Sequence, residues 1–444
     1  MTAVRAPRDL GDGLILRPAT TGDSDALVAF NSVIHRRPGT SEPDVGIAAW
    51  THDLTARPHP TTGPGDFTVV EDTRSGQIVS TVCLISQTWS YGGASFGVGR
   101  PELVGTLPEH RRRGLVRAQF EEIHRWSAGQ GELVQAITGI PNYYRQFGYE
   151  MALNLHGARS AAVADVPSLK VGESEPFRVR AAGEADLPFL SATYEEGTRR
   201  SLVAAKRDSA IWRYELSGRS KASGVALRLA IIQAADGRPV GILFHRTNLW
   251  EDSLLGVDLY ELAPGVSWLA VTPSVLRYLK GVGEAAAART GKSLSRLVFR
   301  TGLDHPVARV FPEVFSRTDN PYAWYLRVPD LPAFLRRITP VLETRLAASL
   351  APGYTGELHL SFYRSVLRLT FLEGRLGEVV VEAPGEGARA DAAFTGLTFL
   401  HLLFGHRSLA ELRQAYPDVW ANREARVILD AIFPKQESNV LPIE

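Results

Sequence analysis

Apolar and polar positions along the chain fall into three stretches with different periods. Leu14–Arg17 is a short apolar run that leads into PATTGDSDALVAF, a polar turn with an acidic start and then helical spacing. The same order returns at Phe177–Arg180 followed by AAGEADLPFLSATY, so that Arg17 aligns with Arg180, Ala19 with Ala182, Asp23 with Asp186 and Leu27 with Leu190, all at an offset of 163. Phe67–Ser86 and Leu229–His245 each read as two β-branched runs, joined at Ser75-Gly76 and Asp236-Gly237, a hairpin signal. These matches predict two copies of one α/β unit, at 1–165 and 170–330, with Ala161–Glu175 as the link. From Leu331 the pattern changes. Leu331–Leu350 has helical periodicity, Leu358–Phe362 and Leu367–Phe371 alternate, and Glu373-Gly374 turns into a further run, Leu376–Val381. Short helical patterns follow at Gly396–Leu403, Leu409–Tyr416 and Ala425–Ile432, which makes 331–444 an α+β unit.

The length of 444 residues suits about three domains. With 44% hydrophobic and 22% charged residues, the composition is that of a folded globular protein. Lys plus Arg (49) nearly cancels Asp plus Glu (48), so there is no global field for a polyanion, and nucleic acid is not an expected partner. One cysteine, Cys83, excludes an internal disulfide framework and fits a reducing compartment. The first residues lack a leader pattern and no apolar run is long enough to span a bilayer, so a cytoplasmic protein without a membrane span is expected. Cys83 has no CxxC partner and the histidines are scattered, so no metal is expected.

The chemistry concentrates in LVGTLPEHRRRGLVRA, Leu103–Ala118. An apolar strand end meets Pro108, the triplet Arg111–Arg113, Gly114 and an apolar-periodic helix. A helix N-terminus offers free N–H groups to an anion, Gly114 lets backbone approach a ligand, and the arginines add positive charge. A bland alternative is an exposed basic turn before a surface helix. A second segment, PNYYRQFGYE (Pro141–Glu150), follows the apolar run Glu132–Ile140 and carries Tyr144 and Gly148.

Together, in this order, the two segments resemble the GNAT superfamily of acyl-coenzyme A-dependent N-acyltransferases. Arg111-x-x-Gly114-x-Val116 is similar to its acetyl-CoA motif, with Val116 where a small residue is usual. Pro108–Arg117 and Tyr144–Tyr149 resemble the motifs of the enhanced-intracellular-survival (Eis-like) subgroup. The resemblance implies two tandem GNAT folds, each a mixed central sheet flanked by helices, plus a C-terminal α+β domain like sterol carrier proteins. It also implies acetyl-CoA as co-substrate, a small-molecule amine acceptor such as an aminoglycoside or polyamine, and a homo-oligomer, a hexamer in that family. Placed on this sequence, Val104, Gly105 and Thr106 would pair with the pantetheine arm, Arg111, Arg112, Arg113, Gly114, Leu115, Val116 and Arg117 would wrap the pyrophosphate, and Gly139, Ile140 and Asn142 would border the arm. The second unit's counterpart, Leu269–Ala287, places Thr272-Pro273 near Leu107-Pro108 and has no Arg triplet before a Gly, so it should not hold a pyrophosphate.

Acyl transfer needs a proton donor for the departing thiolate. A phenol, ordinarily near pKa ~10, keeps its proton at neutral pH while a thiol titrates near ~8.5. Tyr144 falls where the subgroup has its general acid; the neighbouring Tyr143 points elsewhere by helical geometry. In the subgroup the terminal carboxylate reaches back into the first unit's site. Here the tail SNVLPIE, ending at Glu444, either supplies such a base or frays, with water-mediated deprotonation as the alternative. His35, Trp50, Trp89 and Tyr91 are candidate pocket walls, each also readable as packing, and Asp25 and Glu42 are candidate attractors of a cationic amine. The competing readings are a biosynthetic acyltransferase using another acyl-CoA, and a lipid- or ligand-binding protein whose GNAT unit is structural.

Overall fold

The computed structural model describes residues 5–251, 253–384 and 390–444; the first four residues of the stretch read as leaderless lie outside these. The chain opens with β1 (Arg8–Gly11), β2 (Leu14–Pro18), α1 (Ser24–Ile34), α2 (Val45–Ala56), β3 (Phe67–Asp72), β4 (Gln77–Tyr91), β5 (Ala94–Thr106), α3 (Leu115–Gly129), β6 (Val134–Ile137) and β7 (Glu150–Leu155). Strands β1 to β5 form an antiparallel meander. Its longest hairpin closes through Gly92 and Gly93, both at positive φ, the geometry a two-residue loop demands. Because α3 intervenes between β5 and β6, those two strands run parallel.

The middle of the chain contributes β8 (Ala158–Ala162), β9 (Phe177–Ala181), α4 (Leu187–Thr198), β10 (Val203–Ala205), α5 (Ser209–Arg213), β11 (Arg228–Ala234), β12 (Pro239–His245), β13 (Leu254–Leu262), α6 (Trp268–Thr290), β14 (Arg296–Phe299), α7 (Pro306–Val310), β15 (Arg317–Asp319) and β16 (Tyr322–Arg327). The second sheet runs β15-β8-β14-β13-β12-β11-β9. The repeat seen in the sequence is a shared ion pair at the first helix of each sheet. Arg17 donates to both oxygens of Asp23 at 2.8 Å, and Arg180 to both of Asp186 at 2.7 Å. Each aspartate also accepts a backbone N–H three residues back, from Thr20 and Gly183.

The first two sheets cut across the boundary expected at 165–170, while the third sheet keeps within 331–444. β16 inserts between β6 and β7 in the first sheet, β10 pairs with the end of β4, and β8 crosses into the second sheet. The two units are therefore stitched together by exchanged strands. The last stretch holds α8 (Leu331–Ala347), β17 (Gly356–Ser361), β18 (Val366–Leu372), β19 (Arg375–Glu382), β20 (Ala392–Ala393), α9 (Phe399–Leu403), α10 (Leu409–Ala415), β21 (Trp420–Ala421) and α11 (Arg423–Ile432). Phe334, Leu335, Ile338, Leu342 and Leu346, the stripe read from the sequence, are buried on α8. Their core is continuous with Trp89, Tyr91 and Trp324 of the first sheet. The fold class is as expected: α/β and α+β, with mixed sheets flanked by helices.

Candidate active site

The site begins where the first sheet opens. β5 and β6 pair only at Val98–Val134 and Gly99–Gln135, yet β5 continues to Thr106 and β6 to Ile137. A register shift between Thr81 and Cys83, with Leu103 at φ 51°, bulges β5 just beyond the paired stretch and re-aims it. The unpaired strand edges of this wedge present backbone donors and acceptors to a ligand arm. Val104 and Thr106 are half-buried along it. Gly105 is needed for packing: a Cβ there would stand 2.7 Å from Ile34 and 3.1 Å from Phe30 on α1.

At one end of the wedge lies the N-terminus of α3. Pro108–His110 makes one turn of 3-10 helix, Arg112 adopts φ 63° and Gly114 φ 77°, and no side chain caps the helix. Its first N–H groups have no intrahelical partner and form an anion cradle. The sequence reading gave Gly114 the task of close approach; a Cβ there would meet nothing within 4 Å of protein, so the protein's own requirement for glycine is the left-handed backbone. The motif's side chains then divide. Leu115 is buried and Val116 packs on the Tyr144 cluster. Arg111 Nε donates to the Thr106 carbonyl at 3.2 Å, tying the loop to the strand end. Arg113 pairs with Asp12, Arg117 donates to Gln146 and lies over Phe147, and Arg112 is exposed.

The loop after β6 forms the other wall. Gly139 (φ 117°) and Asn142 (φ 61°) turn the chain, and Ile140 is exposed. Two tyrosines of β16 hold this loop: Tyr322 Oη donates to the Gly139 carbonyl at 3.0 Å, and Tyr325 Oη accepts from Asn142 N and donates to the Ile140 carbonyl. Tyr144 starts the 3-10 turn that follows. Its ring, 3% exposed, sits among Phe120, Tyr149 and Tyr325. Its hydroxyl makes no hydrogen bond among the described residues and lies 3.8 Å from where a Cβ on Gly139 would stand. Burial pushes the phenol well above its ordinary range, with the nearby Glu102 carboxylate adding to the effect. Tyr143 instead packs against Phe147, half-buried.

Behind the wedge is a charged cavity of about 110 Å³ that includes Arg100, Thr138, Arg219 and Glu444 in its wall. The tail does not fray. Ser438, Val440 and Ile443 are buried, Arg207 donates to the carbonyls of Leu441 and Pro442 at 3.0 Å, and Gln87 to that of Ile443 at 2.6 Å. Glu444 then meets Arg100 through both side-chain oxygens (2.7 and 3.1 Å), while Arg219 donates to its main-chain oxygen at 2.7 Å and His59 lies 3.4 Å from the same atom. Burial alone would raise the Glu444 carboxyl, but Arg100, with Arg219 and Arg246 adding, outweighs it and the net displacement is downward. Glu102, 2.6 Å from Arg100, moves the other way: burial, with the charge of Glu444 adding, lifts it to about 7 against the pull of Arg100. Burial lowers His59 to about 4, so it is neutral. The sequence reading did not single out Arg100, Glu102, Tyr322 or Tyr325, because each is an isolated residue in a strand whose role depends on a fold-distant neighbour.

An outer cleft of about 670 Å³ lies against α2, with His35, Glu42 and Trp50 in its wall. Asp25 is exposed in the first turn of α1 and is not on that wall. Trp89 and Tyr91 are core residues; Trp89 packs on Trp324, and Tyr91 Oη donates to Leu403 O at 2.7 Å. In the second sheet the loop after β14 packs close to β13. His305 reaches the Tyr260 carbonyl at 2.8 Å and packs with Trp268, which also meets Tyr260. There α6 starts at Trp268 with Ser267 capping Ala270 N, so Thr272-Pro273 lies inside the helix rather than at a turn before it. Cys83 is fully buried and burial pushes its thiol up. Among the described residues no cluster of His, Cys, Asp or Glu is arranged for a metal ion, and no helix is long and apolar enough to cross a membrane.

Residues 16–152 match the family model described as an acetyltransferase (GNAT) domain. No curated protein matches the chain. Among solved structures, the chain is similar to a conserved protein of unknown function from Enterococcus faecalis, a probable N-acyltransferase, at 14% identity and a TM-score of 0.68, over 97% of this chain and 99% of that one. It is similar to a GCN5-related N-acetyltransferase from Kribbella flavida at 20% identity and 0.64, over 97% and 100%. It is also similar to Eis1 from Mycobacterium abscessus at 15% and 0.59, over 96% and 99%. At these identities the likeness is one of fold. The chain thus carries a GNAT acetyltransferase domain within residues 16–152.

Proposed function

We propose that the protein is an N-acyltransferase that moves an acetyl group from acetyl-CoA to a primary amine of a small molecule. The observation that carries this reading is the wedge between β5 and β6, with an uncapped helix N-terminus at one end and the free Tyr144 hydroxyl by the other wall. Backbone N–H groups from Arg112 to Arg117 take the pyrophosphate, with Arg111, Arg112 and Arg113 supplying charge, and Val104–Thr106 and Gly139–Asn142 flank the pantetheine arm.

The amine nitrogen attacks the thioester carbonyl, the C–N bond forms, and the C–S electron pair leaves on sulfur. Tyr144, whose phenol burial keeps protonated, delivers its proton to that sulfur. The proton lost by the amine passes through water to the carboxylate pair of Glu102 and Glu444. Glu444, held down by Arg100, offers negative charge to the cationic nitrogen, while Glu102, lifted to about 7, is the better proton acceptor at neutral pH. Solvent returns both groups to their starting states. The second unit is read as a GNAT-like copy without a cofactor site, and 331–444 as a sterol-carrier-like unit that braces the first sheet.

Isothermal titration with acetyl-CoA followed by a CoA-release assay with amine acceptors tests the proposal. Binding and amine-dependent release are expected. Absence of acetyl-CoA binding would overturn it in favour of a ligand-binding role, and faster use of a longer acyl-CoA would reassign the acyl group.

A further inference from the structure

The outer cleft and the inner cavity share Val225, Arg246 and Arg300 in their walls, so two guanidiniums stand where the cleft adjoins the cavity that holds Glu444. Both converge on one carboxylate. Asp258 on β13, 3% exposed, accepts a short hydrogen bond from Arg300 and lies 3.5 Å from Arg246 Nε. Two cations on one anion leave a positive charge unbalanced at the throat. Arg300 Nε is buried without a hydrogen-bond partner, as is Asp258 Oδ2, and the guanidinium leans over the Trp250 ring at 5.9 Å. Burial displaces Arg246 downward against the pull of Asp258, with Arg300 adding to the displacement.

Further out, Arg37 and Lys221 line the cleft, and neither is ion-paired among the described residues. Glu42, as exposed as these two cations, and Asp44, which accepts from the N–H groups of Gly46 and Ile47 at the start of α2, share that wall. At the inner end Glu444 in the wall, with Glu102 beside it, answers Arg100 and Arg219. The path is therefore positive at its throat and holds its carboxylates where the amine must react. A polyamine or aminoglycoside would carry its spare positive charges past four cations.

We infer that the acceptor is an amine that also bears a carboxylate, an amino-acid-like zwitterion. Its carboxylate docks on Arg246 and Arg300 at the throat while its nitrogen faces Glu444. Arginine suits this task because its planar fork binds a carboxylate through paired hydrogen bonds. The inference rests on the acyltransferase reading and narrows its acceptor.

The test uses the full-length protein with saturating acetyl-CoA and two matched acceptor pairs, phenylalanine with phenethylamine and leucine with isoamylamine, together with spermidine. CoA release is expected to favour the carboxylate member of each pair by about 10- to 100-fold in kcat/KM, in keeping with a charge-assisted hydrogen bond. In R246Q and in R300Q that ratio should collapse towards one. Each variant leaves Asp258 one guanidinium, and the melting midpoint checks that the fold survives. Equal or faster turnover of the decarboxylated amines or of spermidine by the unmodified protein overturns the inference and leaves the acyltransferase reading standing. A ratio that persists in both variants overturns it too. Failure of acetyl-CoA to bind, with no release from any acceptor, overturns both.

Discussion

Replacing Tyr144 with Phe removes one oxygen and leaves the packing intact. The ring keeps its neighbours Phe120, Tyr149 and Tyr325, and the hydroxyl gives up no hydrogen bond among the described residues. The expected change in stability is within about 0.5 kcal/mol, the range for substitutions that break no named interaction. The expected change in chemistry is large. A positioned general acid contributes roughly 10²- to 10⁴-fold, or about 3–5 kcal/mol of barrier. Burial keeps the Tyr144 phenol protonated, and the departing thiolate, with its lower ordinary pKa, would leave unassisted without that proton. The assay is CoA release under saturating acetyl-CoA, with the melting midpoint and acetyl-CoA affinity measured on the same preparation. Y144F should lose kcat by that factor, with unchanged melting and affinity, while Y143F should keep most of its turnover. Full activity in Y144F would refute the assignment. So would a loss of kcat matched by an equal loss of acetyl-CoA affinity, which would make Tyr144 a packing residue of the cofactor wall.

Other consequences follow from the same geometry. Glu102 acts as base only when deprotonated, so kcat/KM should rise with pH through about 7, and E102Q should lower turnover and abolish that limb; a limb that survives in E102Q assigns it to another group. In G114A the left-handed φ of 77° would cost a Cβ-bearing residue about 1–2 kcal/mol, and the main effect should be a raised KM for acetyl-CoA, seen in initial rates. Deleting Val440–Glu444 removes one of two carboxylates on Arg100, leaving Glu102 at 2.6 Å, and also removes the buried side chains of Val440 and Ile443, each worth about 1.5–3 kcal/mol. A clearly lowered melting midpoint and reduced turnover are expected, and unchanged values of both would make the tail ornamental. E444Q separates its parts: it keeps the buried main chain and removes only the side-chain charge, so turnover should fall more than stability does.

The contiguous motifs were legible because their structure is local. Pro108–Arg117 makes its loop and helix start within ten residues, and Tyr144–Tyr149 makes its turn within six, so spacing alone carried their geometry. The repeat was legible for the same reason, since Arg17 with Asp23 and Arg180 with Asp186 are closed six residues apart. Where helical and strand patterns compete, local reading failed. Thr272-Pro273 looked like a turn before a helix, but Ser267 caps the helix earlier and proline is carried inside it. Trp89 and Tyr91 were readable either as pocket walls or as packing, and they lie in the core shared with the third unit.

By itself, then, the sequence determined the α/β and α+β composition, the turn that starts α3 and the placement of Tyr144 on a short helix, because each depends on contacts a few residues long. Only the tertiary structure decided that β8, β10 and β16 are exchanged between the sheets, that Tyr322 and Tyr325 brace the loop at Gly139–Asn142, and that residue 444 lies against Arg100. Those pairings join residues hundreds of positions apart. Burial lifts Glu102, while the guanidiniums around Glu444, Arg100 first, hold it down against its own burial, and both burial and those neighbours are properties of the folded whole that no short window of sequence contains.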